Sequence, residues 1–448
     1  MLTQEENEML CRVGPGTPMG TLLREYWMPL CLSTEVRADG PARRVRLLGE
    51  DLVAFRATDG DVGLFETNCP HRGAAMYFAR NEECGLRCVY HGWKFNIAGE
   101  CVDMPNEPET SVFKDKVRIL SYPCLERNGL VWTYMGARRT PPPLPLFDWN
   151  SDPDNVPVMW RNYRACNWVQ ALEGDLDTSH VNFLHRVLDP SVNGTSLGRA
   201  LPGRAADLGN LIAGDSQPRL DVRQAEYGLL YSSIRAVGDG TEYHRVHPFL
   251  FPFHTMIGGG LNNDGEMTSF QGKAWVPMDD EQTLVLEWHR RPGQPWTDEE
   301  RQQIIDNRNR HGFLPDNTLD PIGGWKSKAN AENNFLWDYE LQRTKLFFGV
   351  TSNPLQDGAV QQSMGPIYDR SKEHLGTADS MIIQMRKRLL EAVRQVAEGE
   401  PAPCVDTPEV YAIRPAGMIL PPGADWYSET EPRRQVLDRV LANARSQG

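Results

Sequence analysis

The chain has 448 residues, 40% of them hydrophobic and 24% charged, and a formal net charge of -13. One hydrophobic core stops growing at about 250–300 residues, so two or more domains are expected. The acidic balance argues against a nucleic-acid binder, which carries a basic face, and suits an enzyme that meets a partner with a basic patch.

The first ten residues, MLTQEENEML, are acidic and lack the apolar stretch of a signal peptide. No run of about 18 apolar residues follows, so a cytoplasmic protein with no membrane partner is expected. Nine cysteines are scattered along the chain. An odd, dispersed set without a secretory signal favours metal binding or free thiols over a disulfide framework.

In chain order, residues 43–66 read as short strands around turns at Gly49-Glu50-Asp51 and Asp59-Gly60-Asp61. CPHRGAAMYFARNEECGLRCVYHGW (69–93) then places Cys69, His71, Cys88 and His91 in loops. Strands are expected again over 117–124 and 129–136, with Asn128-Gly129 as a hairpin signal. The proline-rich RRTPPPLPLFDW (138–149) is stiff and extended, and a domain boundary is expected near 150. Helical character centres on Ala171, Leu172 and Leu176. Strands of a larger sheet are expected over 229–237, 241–253 and 282–290. DSMIIQMRKRLLEAVRQVAEG (379–399) is an amphipathic helix with Ile382, Met385, Leu389, Val393 and Val396 on one stripe and Asp379 as its cap. The sum is an α+β chain: an all-β unit over 1–150, with an N-terminal extension over 1–40, then an α+β domain over 151–448.

Two cysteines and two histidines in paired loops suit either a structural zinc site, which Cys84 could join, or a Rieske 2Fe–2S cluster. Each loop supplies one Cys and one His. A Rieske cluster needs that arrangement, because both cysteines bind one iron and both histidines the other. Imidazoles in place of thiolates raise the cluster's potential. Such a cluster has no open position for substrate, so it feeds electrons to a second site.

NWVQALEGDLDTSHVNFLHR (167–186) is the candidate for that site. On a helix Glu173, Asp177 and His180 share one face. His185 lies about 140° further round, so both imidazoles reach one metal only if the helix breaks, and a break is expected near Val181–Phe183. Two histidines plus one carboxylate form the facial triad of non-haem Fe(II).

Together, Cys-x-His and Cys-x-x-His-Gly-Trp (Cys69 to Trp93) and Glu-x3-Asp-x2-His-x4-His (Glu173 to His185) resemble the Rieske non-haem iron oxygenases. The length and CRVGPGTPMG (11–20) look closest to the oxygenase (alpha) subunits of the phthalate 4,5-dioxygenase group, which includes O-demethylases of methoxylated aromatic acids. The resemblance implies a catalytic domain with an antiparallel sheet flanked by helices, the helix-grip or START-like form. It implies a Rieske cluster on Cys69, His71, Cys88 and His91, and Fe(II) on His180, His185 and a downstream aspartate. Asp357 in NPLQDGAVQQSMG fits that role, with Asp338 in LWDYE as the competitor. It implies that Asp177 bridges His180 to a Rieske histidine of a neighbouring subunit, hence a homotrimer or a hexamer of stacked trimers. It implies a flavin/iron-sulfur reductase drawing on NAD(P)H, and O2 with an aromatic acid as co-substrates. The expected reaction is phthalate-like cis-dihydroxylation, with O-demethylation releasing formaldehyde as the alternative. An anionic ring needs a cationic anchor. Arg245 in YHRVHPFLFP is the first candidate, flanked by His244 and His247, and Arg199 and Arg204 in LGRALPGRAAD are others. A Rieske electron carrier would be far shorter and lack His180 and His185; a structural zinc protein would be colourless.

Overall fold

The computed structural model describes residues 1–189, 212, 215–237, 240–258, 267–309, 311–436 and 442. Two short helices open the chain. The first, α1 (Gln4–Cys11), starts at a capping box in which Thr3 and Glu6 satisfy each other's backbone N–H. The second, α2 (Pro18–Arg24), is capped by Thr17 and has proline in its first turn.

Ten strands follow: β1 (Trp27–Leu32), β2 (Arg43–Leu47), β3 (Glu50–Arg56), β4 (Val62–Glu66), β5 (Arg80–Asn81), β6 (Leu86–Arg87), β7 (Lys94–Phe95), β8 (Cys101–Asp103), β9 (Cys124–Arg127) and β10 (Leu130–Tyr134). They pair as β1-β10-β9, β2-β3-β4 and β5-β6-β7-β8. The β9–β10 hairpin turns on Asn128 and Gly129, both at positive φ (53° and 83°), as its sequence predicts. The strand expected over 117–124 is absent. Pro123 lacks a ladder N–H, and the segment makes only isolated bridges, at Arg118 and Ser121, before β9 starts at Cys124. A small core of Val53, Phe55, Phe65, Leu86, Phe95 and Ile119 includes Cys69, Cys88 and Trp93, so the cluster loops rest on packed side chains.

The proline-rich stretch becomes a buried strap. Phe147 and Trp149 stack with Trp132 of β10. The fully buried Asp148 accepts from Arg290 at 2.5 Å and Arg414 at 2.6 Å.

An antiparallel sheet of eight strands forms the rest: β11 (Val158–Arg164), β12 (Arg219–Ala225), β13 (Gly228–Ala236), β14 (Glu242–Leu250), β15 (His254–Gly258), β16 (Phe270–Pro277), β17 (Thr283–Arg290) and β18 (Ala416–Leu420). The order is β11-β17-β16-β15-β14-β13-β12, with β18 on β14. Among the described residues the further helices are α3 (Trp168–Leu176), α4 (Asp298–Arg308), α5 (Tyr339–Thr344), α6 (Asn353–Ser363) and α7 (Ser380–Ala397), followed by two single turns, Trp426–Glu429 and Glu431–Arg434. The stripe of α7, including Ile382, Met385, Leu389 and Val393, is buried in the main core with α1, α2 and α3. Asp379 does not cap α7 with its side chain, which instead accepts from the Gly376 N–H at 2.7 Å. No helix among the described residues is long and apolar enough to cross a membrane.

Candidate metal centres

The two cysteine–histidine loops are built alike. Cys69 N–H donates to Ala74 O and Gly73 N–H to Cys69 O; Cys88 N–H donates to Trp93 O and Gly92 N–H to Cys88 O. Gly73 and Gly92 both have positive φ (75° and 80°), and a Cβ on Gly92 would sit 2.6 Å from Pro105 Cγ. The thiols are buried, while the flanking Val89 and Tyr90 are exposed. The imidazoles of His71 and His91 lie with centroids 4.4 Å apart, and Trp93 stacks on His71 at 4.2 Å. The Trp93 indole is fixed by Asn106 Oδ1 at 2.7 Å. Burial and the nearby Cys88 thiol push the Cys69 thiol up to about 11. It would therefore need a metal to become a thiolate. His71 Nδ1 is buried without a hydrogen-bond partner among the described residues. Two apposed thiols and an orphaned imidazole nitrogen fit a Rieske cluster. Cys84 is exposed in a turn at φ 58°.

The second centre lies where α3 and α6 meet. Asn167 caps α3, its Oδ1 accepting from Val169 N–H. Gln170 and Gln361 stitch the helices together: Gln170 Nε2 donates to Gln361 O, and Gln361 Nε2 to Ala171 O. Gly174 permits the close approach, since a Cβ there would lie 2.4 Å from Gln361 Nε2. The helix ends earlier than its sequence suggests. Asp177 is already extended (ψ 123°), and its Oδ1 accepts from Ser179 N–H at 2.7 Å. That local bond competes with the helix, so the break falls at Asp177 rather than at Val181–Phe183, and His180 opens a 3-10 turn.

This break brings His180, His185 and Asp357 together, with one donor atom of each within 4.8 Å of the others. His185 Nε2 is 3.0 Å and His180 Nε2 3.8 Å from Asp357 Oδ1. Burial raises the Asp357 pKa, but His185 and His180 outweigh it and hold the carboxyl well below its usual range. The outer nitrogens are oriented differently. His180 Nδ1 faces Asp177 Oδ2 at 3.3 Å. His185 Nδ1 meets Gln356 Oε1 at 2.7 Å, and Gln356 Nε2 donates to Val350 O at 2.7 Å. An amide oxygen accepts, so His185 carries its proton on Nδ1 and offers Nε2 to a metal. The chemistry and spacing fit a divalent first-row metal. Asp338 takes another role, as N-cap of α5, its Oδ1 accepting from Leu341 N–H.

A cavity opens beside the triad, lined among others by Arg245, His247, Lys273 and Glu287. Arg245 is buried and donates through Nε and Nη2 to Gly258 O. Burial, then Arg245 and Arg235, drive the His247 pKa far down, so its imidazole is neutral. His244 points to the opposite face of β14, where Ser232 Oγ lies 3.2 Å from its Nδ1. Arg199 and Arg204 lie outside the described residues. A second crevice reaches Asp177, His180 and Asp357 from the other side, between α3, α6, α7 and the 368–375 segment. Glu173 stands behind Asp177, paired with Arg370 (3.1 Å) and Arg386 (2.6 Å). The motif gave no reason to single out Gln356, Lys273 or Glu287. A charge inside the apolar run LVLEW (284–288) was the available sign for Glu287.

Fold and residues together describe an oxidoreductase with two iron sites. The Rieske [2Fe-2S] domain family matches residues 26–120, and the family "LigXa C-terminal domain like" matches 133–440. The chain belongs to the oxygenase subunits of the Rieske oxygenases, enzymes that incorporate oxygen from O2. It is 37% identical to the 3-chlorobenzoate-3,4-dioxygenase oxygenase subunit of Comamonas testosteroni, over 98% of this chain and 100% of that one. It is 34% identical to the phthalate 4,5-dioxygenase oxygenase subunit of Pseudomonas putida (90% and 88% covered). It is 32% identical to the 5,5'-dehydrodivanillate O-demethylase oxygenase subunit of Sphingobium sp. (strain NBRC 103272 / SYK-6) (94% and 87% covered). The fold is that of the solved QL mutant of NdmA from Pseudomonas putida CBB5 with caffeine, with a TM-score of 0.58 at 19% identity over 88% of this chain and 95% of that one.

Proposed function

We propose that this chain is the terminal oxygenase component of a cytoplasmic system that oxidises an aromatic carboxylate with O2, on electrons from a separate flavin/iron-sulfur reductase that draws on NAD(P)H. Residues 1–150 carry the [2Fe–2S] cluster on Cys69, His71, Cys88 and His91. Residues 151–448 carry Fe(II) on His180, His185 and Asp357. When bound, the two groups supply electron transfer and oxygen activation. One observation carries the reading: three donor atoms of the right chemistry lie within 4.8 Å of one another, beside a cavity that also takes a buried arginine.

Asp177 orients the His180 ring through Nδ1 and borders both the cavity and the second crevice. That crevice is where a neighbouring copy's His71 or His91 would reach Asp177, in a homotrimer or a hexamer of stacked trimers. A carboxylate bonded to two metal-bound imidazoles would orient both rings. Arg245 has five N–H donors and spends one on Nε and one on Nη2 on a single carbonyl, which leaves capacity for a substrate carboxylate. Arg204, outside the described residues, is the second candidate for such an anchor on its sequence alone. The neutral His247 can hydrogen-bond a ring substituent.

The relatives' names support both ring dioxygenation of aromatic acids and O-demethylation. The test is turnover with a surrogate reductase and labelled O2 against phthalates, benzoates and methoxylated aromatic acids, read by mass spectrometry. A product with two labelled ring oxygens supports cis-dihydroxylation. Formaldehyde with a freed phenol supports O-demethylation. No oxygenated product from any aromatic acid, by an enzyme with both iron centres filled, would overturn the substrate class.

A further inference from the structure

Glu287 on β17 lines the cavity beside the triad and is 4% exposed. A buried carboxylate is costly unless it is well paired or hydrogen-bonded. Its hydrogen bond comes from a neutral group, Asn162 Nδ2 on β11. The cation placed to neutralise it is Lys273, directly opposite in the β16–β17 register. Lys273 feels the Glu287 charge, but its ion pair goes to Asp175, whose Oδ1 lies 2.5 Å from its Nζ. Asp175 Oδ2 in turn accepts from Thr255 Oγ1 at 2.5 Å, and Thr255 is level with Lys273 on β15. A polar row Thr255–Lys273–Glu287 thus crosses three neighbouring strands, and the carboxylate at its end takes its hydrogen bond from an amide while Lys273 acts on it without an ion-pair contact.

Arg245 and His247 lie on β14, the far side of the same cavity. β14 is three strands from β17 in the sheet order, roughly 14 Å at about 4.8 Å per strand, and Phe249 rather than Arg245 is level with Thr255, so Arg245 is also offset by about 13 Å along the strands. The cavity therefore has two unlike ends. A benzoate held by Arg245 turns its far edge towards Lys273 and Glu287. A second carboxylate there would meet Glu287 as a like charge and would compete with Asp175 for Lys273. A bare C–H edge would bury Glu287 against carbon. A ring hydroxyl satisfies both neighbours, because it donates to Glu287 and accepts from one of the three Lys273 N–H groups. An aromatic amine donates but accepts poorly, because its lone pair is delocalised into the ring.

We infer that Glu287 is a specificity-determining residue: its carboxylate accepts the O–H of a phenol, so the pocket selects aromatic acids that carry a ring hydroxyl. The inference rests on the aromatic-carboxylate reading above. Isothermal titration of the anaerobic holoenzyme with benzoate, 3- and 4-hydroxybenzoate, their methyl ethers and phthalate tests it. A hydrogen bond to a charged group predicts that one hydroxybenzoate binds about 10- to 100-fold tighter than benzoate or its own methyl ether. In Glu287→Leu the ratio should fall to about threefold or less, because the hydroxybenzoate loses its acceptor and benzoate no longer buries a carboxylate against carbon. Glu287→Gln keeps the shape and an acceptor for Asn162, so it reports on the charge if the leucine variant does not fold. Equal wild-type affinity for hydroxylated and plain benzoates overturns the inference and leaves the aromatic-acid reading standing. So does a preference that survives in the folded Glu287 variants. Failure of every aromatic acid to bind would remove both.

Discussion

Replacing Gln356 by leucine tests how the metal site is held. Gln356 is 1% exposed and makes two bonds of 2.7 Å, accepting from His185 Nδ1–H and donating to Val350 O. It also precedes Asp357 on α6, so one turn of helix carries a candidate ligand and the group that aims another. Leucine fills similar volume but removes both bonds. The imidazole then loses the acceptor that keeps Nε2 towards the metal, and such partners are worth about 10–100-fold in metal affinity, or ~1.4–2.7 kcal/mol. The carbonyl of Val350 loses its donor as well, a further stability cost of about 1–3 kcal/mol. Chelator competition should show mononuclear iron held about 10–100-fold more weakly, with the Rieske absorption unchanged. Gln356→Glu restores an acceptor and should recover most of the affinity. Iron affinity within about twofold of wild type in a folded leucine variant would refute the orienting role, leaving Gln356 as a packing residue.

Three other perturbations probe separate parts of the site. Asp177→Ala, assayed with iron at saturation so that both centres stay filled, should still slow reductase-coupled turnover by roughly 10–100-fold or more, and near wild-type turnover would dismiss the bridge. Arg245→Leu should weaken aromatic-acid binding by about 1.5–3 kcal/mol by titration, and unchanged binding would take it out of the pocket. Glu173 is buried, which raises its pKa, but Arg370 and Arg386 outweigh this and hold it low. A lowered folded-state pKa gives stability that is present above the unfolded value of about 4.3 and is lost as pH falls through the folded value. Glu173→Gln should therefore lower the melting temperature near neutrality by leaving buried arginines underpaired, a cost of about 3–5 kcal/mol. Its deficit relative to wild type should shrink as the pH drops below about 4, and a deficit independent of pH would argue against the ion pairs.

What was legible in the sequence was local. Cys69, His71, Cys88 and His91 sit in two short loops whose glycines and spacing fix their shape. Strands such as β3, β13 and β17 followed from apolar runs between turn residues. Non-local contacts were less legible. Asp357 and Asp338 both sit in polar-looking helical segments, and only the packing of α6 on α3 separates a residue beside the histidines from a helix cap. The early end of α3 was written in Asp177-Thr178-Ser179, a local side-chain turn that helical periodicity does not register. His244 and Arg245 are neighbours in sequence and so point to opposite faces of β14, and which face meets the cavity depends on strand pairing. Gln356, Lys273 and Glu287 matter through partners on other elements, and single-chain patterning is blind to those.

The strap over Phe147, Asp148 and Trp149 bears on how activity scales with protein concentration. Its rings are stacked and its carboxylate is locked between two arginines, so it is no tether on which the cluster-bearing half could swing to its own iron. In the proposed ring each cluster serves the next copy's iron, and turnover becomes a mass-action property. On dilution past the dissociation constant of the ring, activity per subunit should collapse while every subunit keeps its full complement of iron.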